Sequence, residues 1–340
     1  MLSCSKTDTG AAITLPTPIT PVTVIPPVIP TATGFAKGAD VGWITELEAN
    51  GKKFYTSAGV ATEGMALLKS LGINTVRLRV WVNPADNYNS TSDVVVKAVR
   101  AKNLGLRIMI DFHYSDTWAD PGHQTTPAAW ASQDINGLKT SVANHTTAVL
   151  ATLKENGVTP EWVQVGNETN NGMLWPLGKA STSMANFTVL VNAGYDATKA
   201  VFPNAKVIVH VSNGYNNATF LYIFNGLAAN GGKYDVIGMS LYPTAANWST
   251  YNTQCLANMN DMVARFNKEV MVVEVGMPWD GAADCKAFLN DLIAKTKTVT
   301  NGKGTGVLYW EPLAYNGWKG YSLGAFDNSG KPTIAMDAFQ

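Results

Sequence analysis

The sequence predicts a single (β/α)8 barrel over residues 34–340. Eight short apolar runs recur along this part of the chain, and each is followed by a segment whose apolar residues have helical spacing. Such alternation is typical of parallel strands joined by helical crossovers. Eight units in about 300 residues fit a closed barrel with enlarged loops. A doubly wound open sheet is the alternative, but no Gly-rich phosphate-binding loop follows the first run.

The elements are predicted from these runs in chain order. The strand-like runs are Gly38–Trp43, Thr75–Trp81, Leu106–His113, Trp162–Glu168, Lys206–Ser212, Val236–Tyr242, Val270–Val275 and Gly306–Trp310. The helical segments are Thr62–Leu71, Ser92–Leu104, Ile135–Asn156, Thr182–Val201, Ala218–Ala229, Cys255–Asn267, Ala282–Thr296 and a short helix after Pro332. Gly72, Gly105 and Gly157 follow the first three helical segments, where a glycine cap is expected.

Residues 1–33 are predicted to be a separate, disordered linker, because they are rich in Pro and Thr and cannot hold a helix or a central strand. Leu2-Ser3-Cys4 resembles the end of a bacterial lipoprotein signal, with Cys4 as the acylated residue. The apolar stretch of such a signal does not precede Cys4, so we expect that the sequence starts inside it with an added Met1. This predicts an exported lipoprotein of the bacterial cell envelope, at the outer membrane or cell surface, whose only membrane link is the lipid. An incidental cysteine in a disordered tail is the alternative.

Composition narrows the function classes. Lys plus Arg and Asp plus Glu are 25 each, and no basic stripe is present, so nucleic-acid binding is not expected. No apolar run is long enough to predict a membrane-spanning helix. Only 15% of residues are charged, whereas 10 Trp and 12 Tyr are present, which suits a neutral polar ligand such as a carbohydrate. Cys255 and Cys285 either form a disulfide or are two unpaired core residues, and a monomer is expected.

The chemistry-bearing residues follow the predicted strands, at the end of a barrel where active sites lie. These polar and aromatic positions are Arg77, Arg79, Trp81, Asp111, His113, Asn167, Glu168, His210, Tyr242, Glu274, Trp310 and Glu311. Burying isolated charges there would cost several kcal/mol each, so their recurrence on seven strands indicates a functional site.

Two of these residues, Glu168 and Glu274, form a candidate catalytic pair. They follow the fourth and seventh strands, which lie roughly opposite each other across a barrel mouth. Glycoside hydrolysis needs one protonated and one ionised carboxyl, and about 5 Å between them predicts the retaining mechanism. The alternative for either residue alone is a strand-end salt bridge with Arg77 or Arg79.

Several longer motifs resemble glycoside hydrolase family 53, the endo-β-1,4-galactanases that cut the galactan side chains of pectin. The motifs are Gly38–Trp43, Asn74–Pro84, Asp111–Pro121, Val165–Glu168, Leu174–Pro176, Ser240–Pro243, Val272–Glu274 and Leu308–Pro312. The resemblance covers essentially all of residues 34–340, and the Asp111–Pro121 string is its most specific part.

The resemblance implies a role for each site residue. Glu168 would be the general acid/base and Glu274 the nucleophile, with Arg77 and Tyr242 contacting Glu274 and Arg77 lowering its pKa. The further substrate-binding candidates are Asn167, His113, Trp118, Asp116, Asp120, Trp310, His210 and Trp81. Asn167 would hold the hydroxyl next to the anomeric carbon and His113 would line the central subsite. Trp118 and Trp310 would be sugar platforms, whereas Asp116 and Asp120 would bind hydroxyls or order the loop that carries Trp118. Core filling remains an alternative for Trp81.

The resemblance implies no cofactor, and the partner it implies is β-1,4-galactan. Some bacterial relatives hold calcium in an Asp-rich loop after the seventh strand, but Pro278–Cys285 has only Asp280 and Asp284, so we do not expect a calcium site. Met277 stands where many relatives have an aromatic residue, and Ser212 where some have Asp; both departures bear on substrate length and the outer subsites, not on the reaction. Trp175 and Trp279 serve either such subsites or loop packing.

Three other functions fit parts of the pattern. A β-mannanase or cellulase shares the Asn167-Glu168 step, and fold alone does not exclude one. A glycan-binding lipoprotein without activity is disfavoured by the presence of both carboxylates. A barrel enzyme of small-molecule metabolism is disfavoured because no Gly-rich phosphate loop lies near the last two strands.

Overall fold

The eight apolar runs pair edge to edge into a closed parallel barrel in the computed structural model, which describes residues 34–340. The strands are β1 (Ala36–Asp40), β2 (Thr75–Val80), β3 (Arg107–Phe112), β4 (Trp162–Val165), β5 (Lys206–Val211), β6 (Val236–Leu241), β7 (Glu269–Val275) and β8 (Gly304–Tyr309). Each strand pairs with its neighbour in the sequence, and β8 closes the barrel where Gly306 pairs with Ala36. The predicted (β/α)8 fold is therefore confirmed.

Within residues 34–340, eight α-helices surround the barrel. They are α1 (Ile44–Ala49), α2 (Gly64–Ser70), α3 (Thr91–Asn103), α4 (Ile135–Glu155), α5 (Met184–Val201), α6 (Asn217–Ala229), α7 (Trp248–Phe266) and α8 (Ala282–Lys297). Side-chain caps explain several starts: the side chains of Ser90, Asp134 and Ser183 each accept a hydrogen bond from a backbone N–H in the first turn of α3, α4 and α5. A small antiparallel hairpin, Phe54–Tyr55 with Ala61–Thr62, lies between α1 and α2.

Some predicted boundaries were wrong for identifiable reasons. β1 ends at Asp40, and the predicted strand residues beyond it lead into the short helix α1, which we did not predict. Helix α7 begins at Trp248, seven residues before the predicted start, because its first two turns are mostly polar and lack an apolar stripe. The predicted C-terminal helix is a short 3-10 segment, Ile334–Phe339, that packs on α8.

The lower half of the barrel is filled by apolar side chains, which leaves the upper half for polar ones. The plug consists of Ala36, Met109, Trp162, Ile208, Val236, Met271, Val273 and Leu308. Above it, the barrel strands present buried charges such as Arg77, Asp111 and Glu274. Because the plug excludes water from below, these charges are accessible to a ligand only from the C-terminal end of the barrel.

The predicted linker over residues 1–33 and the lipid on Cys4 lie outside the described residues. Within residues 34–340, no helix is both long enough and apolar enough to cross a bilayer. In that same part of the chain, Cys255 and Cys285 are two buried free thiols, so the disulfide alternative is not formed here. The domain division at residue 33 and the monomeric state stay predictions.

Gly72, which follows α2, offers a test of the barrel's packing. Its φ is +94°, and an added Cβ would lie 2.1 Å from the carbonyl oxygen of Phe339. Gly51, after α1, has a φ of +75° with open space around it, so it is a matched control. We expect Gly51→Ala to cost about 1–2 kcal/mol of unfolding free energy, the cost of the left-handed backbone alone. Gly72→Ala should cost clearly more, measured by urea unfolding; equal losses would contradict this.

Candidate active site

A buried arginine organises the floor of the site. Arg77 on β2 forms salt bridges with Asp40 (2.9 Å), Asp111 (2.9 Å) and Glu274 (2.7 Å), which come from three other strands. Its guanidinium also donates to Gln164, at 3.0 and 3.2 Å. Burial disfavours the charged form of Arg77, but the three carboxylates outweigh it and raise its pKa further above the usual range. Arg77 therefore stays a cation beneath the cavity.

Glu274 on β7 is held by two partners. Its Oε1 lies 2.7 Å from Arg77 Nη1, and its Oε2 accepts a hydrogen bond from the hydroxyl of Tyr242 at 3.0 Å. The predicted contacts of Arg77 and Tyr242 with Glu274 are thus present. Both contacts favour the ionised carboxylate, and they leave its orientation little freedom.

Glu168 has a different environment. It lies two residues after Gly166, in a loop that leaves β4, and has a left-handed φ of +45°. Its Oε1 accepts a hydrogen bond from the Ser240 hydroxyl at 2.6 Å. Ser240 is the residue on β6 that pairs in register with Glu274 on β7. Ser240 therefore links Glu168 to the strand position next to Glu274, and within residues 34–340 Glu168 forms no salt bridge.

These surroundings give the two carboxyl groups different affinities for a proton. Burial, and then the negative charge of Glu274, raise the pKa of Glu168 to about 8. Burial also raises the pKa of Glu274, while the positive charge of Arg77 opposes that rise. The predicted effect of Arg77, which lowers the pKa of Glu274, is thus present, but it is smaller than the opposing effect of burial. Near neutral pH the proton is held on Glu168, because Arg77 contacts Glu274 directly and lowers the pKa of Glu168 less than burial and the charge of Glu274 raise it.

The two glutamates line one cavity of about 320 Å³ at the C-terminal end of the barrel. It is open to solvent and combines aromatic walls with the polar floor. Its lining residues are His113, Trp118, Ala119, Asp120, Asn167, Glu168, Tyr242, Glu274, Trp310, Tyr321 and Leu323. Eight of these eleven residues were predicted from the sequence as site residues. A cavity of this volume, with aromatic walls and a polar floor, suits one segment of a larger ligand made of polar rings.

Four predicted substrate-binding residues do not line this cavity. Arg77 lies beneath it, as described. His210 is fully buried behind Asn167, with its Nδ1 2.9 Å from the Asn167 side-chain oxygen, so a direct contact with substrate is not available to it. Trp81 and Asp116 line a neighbouring cleft of about 210 Å³ that shares Trp118 with the cavity. Trp81 is almost completely buried, and its indole N–H donates to His113 at 3.2 Å.

Asp116 and Asp120, the two predicted aspartates, accept hydrogen bonds from backbone N–H groups in and around the loop after β3. Asp116 accepts hydrogen bonds from the backbone N–H groups of Asn83 and Ala128, at 3.0 and 2.9 Å. Asp120 accepts from the backbone N–H groups of Gly122 and His123, at 2.7 and 2.9 Å. Both side chains therefore order the loop that carries Trp118, the second of the two predicted alternatives. Asp120 also faces the cavity.

Sequence reasoning missed two parts of the site. Tyr321 and Leu323 reach the cavity from the irregular segment after β8, where no periodicity marks a functional position. Asp40 and Gln164 are buried polar residues on β1 and β4 that hold Arg77. Gln164 carried a usable signal, since it is a polar residue in the otherwise apolar Trp162–Val165 run.

The comparison with known families agrees with this geometry. Residues 36–339 match the family model of glycosyl hydrolase family 53. The chain belongs to this family. The resemblance described from the sequence motifs is thereby confirmed, and the protein is a glycoside hydrolase.

Three similar proteins align with most of this chain and with nearly all of their own length. An arabinogalactan endo-beta-1,4-galactanase of Thermothelomyces thermophilus is 33% identical over 330 residues, which are 89% of this chain and 98% of that protein. A solved structure of fungal beta-1,4-galactanases superposes with a TM-score of 0.84 at 30% identity, covering 91% of this chain and 99% of that one. The family 53 catalytic domain of Ignisphaera aggregans has a TM-score of 0.80 at 30% identity, covering 96% and 99%.

Among residues 34–340, no group of three or more His, Cys, Asp or Glu side chains is arranged to hold a metal ion. Asp280 and Asp284 lie in the short segment around the start of α8, as the sequence indicated. The expectation that this family 53 protein needs no calcium and no cofactor stays a prediction.

The raised pKa of Glu168 predicts a pH-dependent stability. A carboxyl with an ordinary pKa of 4.5 when unfolded and about 8 when folded binds its proton more tightly in the folded state. The folded state therefore loses stability as pH rises from about 4.5 to about 8. Glu168→Gln cannot ionise, so we expect its Tm to exceed that of the unaltered enzyme by several degrees at pH 9 and to match it near pH 4.5. Glu155→Gln, at the exposed last residue of α4, is the control; a constant difference across pH would contradict the prediction.

Proposed function

We propose that this protein is a retaining endo-β-1,4-galactanase that cleaves the galactan side chains of pectin. The observation that carries the proposal is that Glu168 and Glu274 line one cavity in opposite protonation environments, as glycoside hydrolysis by two carboxyl groups requires. The substrate is supported by two of the related proteins named above, the Thermothelomyces thermophilus protein and the fungal structure, which are at least 30% identical and are galactanases by name.

In the proposed first step, a carboxylate oxygen of Glu274 attacks the anomeric carbon of a galactosyl residue. Glu168 gives its proton to the departing glycosidic oxygen, so the sugar–oxygen bond breaks and a galactosyl ester of Glu274 forms. The contact of Arg77 with Glu274 supports this assignment, because Arg77 keeps two other carboxylates, Asp40 and Asp111, when the ester neutralises Glu274.

In the second step, ionised Glu168 takes a proton from water, the water oxygen attacks the anomeric carbon, and the ester bond breaks. The released sugar keeps its β configuration, since two displacements each invert that carbon. Trp118 and Trp310, at two walls of the cavity, would pack against the C–H faces of the sugar rings, and Asn167 would bind a hydroxyl beside the anomeric carbon.

The test is a product assay on linear β-1,4-galactan, with β-mannan and cellulose in parallel. We expect oligosaccharides from galactan alone, with early appearance of intermediate sizes that marks internal cleavage. Proton NMR of the first products should show β anomers before mutarotation. Faster cleavage of β-mannan would replace the proposed substrate, and initial α anomers would exclude the retaining mechanism.

We also propose that Cys4 carries a lipid in the cell and that the Pro- and Thr-rich residues 5–33 separate the barrel from a bacterial envelope membrane. The support is the Leu2-Ser3-Cys4 sequence followed by a spacer composition. Metabolic labelling of the natural gene product with an alkyne fatty acid should mark the protein, and Cys4→Ser should abolish the label. Equal labelling of the variant would exclude Cys4 as the lipid site.

A further inference from the structure

A second buried arginine, Arg79, lies in the middle of the aromatic walls of the site. It is two residues beyond Arg77 on β2 and is 1% exposed. Its guanidinium carbon lies 4.6 Å from the ring centre of Trp118, 5.1 Å from that of Trp43, 5.7 Å from that of Trp81 and 6.0 Å from that of Trp310. These rings come from segments that follow four different strands, so Arg79 is their common contact.

Among the described residues, the guanidinium of Arg79 has a carboxylate partner at only one of its three nitrogens. Its Nη1 forms a salt bridge with Glu311, a fully buried residue with a left-handed φ of +47° that directly follows Trp310. The carboxylate of Glu311 also accepts from the backbone N–H of Trp43, at 3.1 Å. Arg79 Nε and Nη2 have no hydrogen-bond partner among the described residues. The remaining N–H groups are enclosed by indole rings, which accept such donors weakly through their π faces.

The backbone leaves space for this arrangement at Gly42. A Cβ there would lie 2.3 Å from Arg79 Nη1 and 2.5 Å from its guanidinium carbon. The indoles also contact each other, since Trp43 lies 5.7 Å from Trp118 and 5.1 Å from Trp310 between ring centres. Two of the rings around the guanidinium, Trp118 and Trp310, are walls of the cavity that holds the catalytic pair.

From this geometry we propose that Arg79 is a positioning residue for the glycan platforms. Its planar cation holds Trp118 and Trp310 in the orientation that binds sugar rings, and it does not touch the substrate or either catalytic glutamate. Lys cannot replace it, because an ammonium group is a compact charge without a planar face that several rings can share. The choice of galactan as the assay substrate rests on the proposed function, whereas the arrangement of the rings does not.

The main test is Arg79→Lys, which keeps a cation for Glu311. We expect KM for galactan to rise roughly five- to tenfold, with kcat within about twofold, because the platforms bind rings that do not react. Arg107→Lys is the matched control: Arg107 is buried, is paired with Glu161 and lies 4.4 Å from the Trp162 ring, but at the opposite end of the barrel. Its KM should not change. An unchanged KM for Arg79→Lys, or a loss confined to kcat, would overturn the proposal.

Two further measurements support the test: a second variant that leaves Arg79 unchanged, and an NMR readout that needs no substrate. Gly42→Ala leaves Arg79 in place but displaces its guanidinium, so it should raise KM in the same way. Indole N–H signals in NMR spectra need no substrate: those of Trp118 and Trp310 should broaden or double in Arg79→Lys and stay sharp in Arg107→Lys. Sharp, single signals in Arg79→Lys would overturn the proposal. Absence of galactan cleavage by the unaltered enzyme would instead refute the proposed substrate, and the NMR result would still decide the role of Arg79.

Discussion

Replacing Glu274 by Gln should lower kcat on galactan by about 10⁴-fold or more, because the amide cannot form the ester intermediate. The fold should persist, since Arg77 retains Asp40 and Asp111 and Tyr242 retains an oxygen or nitrogen partner at residue 274. The rate is measured as new reducing ends from galactan, with the Tm as the check on folding. Glu269→Gln is a matched control on the same strand, at the opposite end of β7, where Glu269 pairs with Lys206.

A second form of this experiment identifies the step that Glu274 performs. In Glu274→Ala, an added azide ion can occupy the space of the missing carboxylate and attack the anomeric carbon directly. A single displacement inverts that carbon, so an α-galactosyl azide is expected. A β-galactosyl azide, or a Glu274→Gln enzyme with activity within tenfold of the unaltered enzyme, would contradict the assignment of Glu274 as nucleophile.

Replacing Glu168 by Gln should reduce kcat/KM on galactan by about 10²–10⁴-fold, the usual contribution of a general acid. The loss in the bond-breaking step should be much smaller on an aryl galactobioside with a nitrophenol leaving group, because nitrophenolate departs without a proton. The kcat/KM of the unaltered enzyme on galactan should also fall as pH rises past about 8, where Glu168 loses its proton. That alkaline limb should be absent in the variant.

Glu161→Gln is the control for this substitution, since Glu161 directly precedes β4 at the other end of the barrel and pairs with Arg107. It should leave both substrates and the pH profile unchanged. If Glu168→Gln slowed the bond-breaking step of the aryl galactobioside as much as it lowered kcat/KM on galactan, Glu168 would not be the general acid. That result would point to a general disturbance of the cavity through the hydrogen bond from Ser240.

The barrel could be predicted because its signal is local and repeated. Apolar runs of strand length and the capping glycines, such as Gly72 and Gly105, are properties of short segments, and eight repetitions leave few topologies. The errors lie where local pattern is weak. The polar start of α7 and the short helix α1 have little apolar periodicity, so only packing against the barrel defines them.

The catalytic pair could be predicted because carboxylates at the ends of apolar strands are chemically conspicuous. Glu168 and Glu274 follow such strands, and the barrel topology brings strand ends together. The residues that contact this pair could be predicted only in part. Contacts of Arg77 with Glu274 were expected from the family resemblance, whereas the hydrogen bond from Ser240 and the buried Asp40 depend on register between distant strands.

The sequence by itself determined the class of fold, the family and the two carboxyl groups, because each is written in residue types at short spacings. Only the tertiary structure decided which candidates face the cavity: His113 does, while His210 is sealed behind Asn167. It also decided the sign of the pKa shift at Glu274, and the enclosure of Arg79 by four indoles. The physical reason is that burial, charge proximity and ring packing depend on distances between residues far apart in the chain, which no local pattern contains.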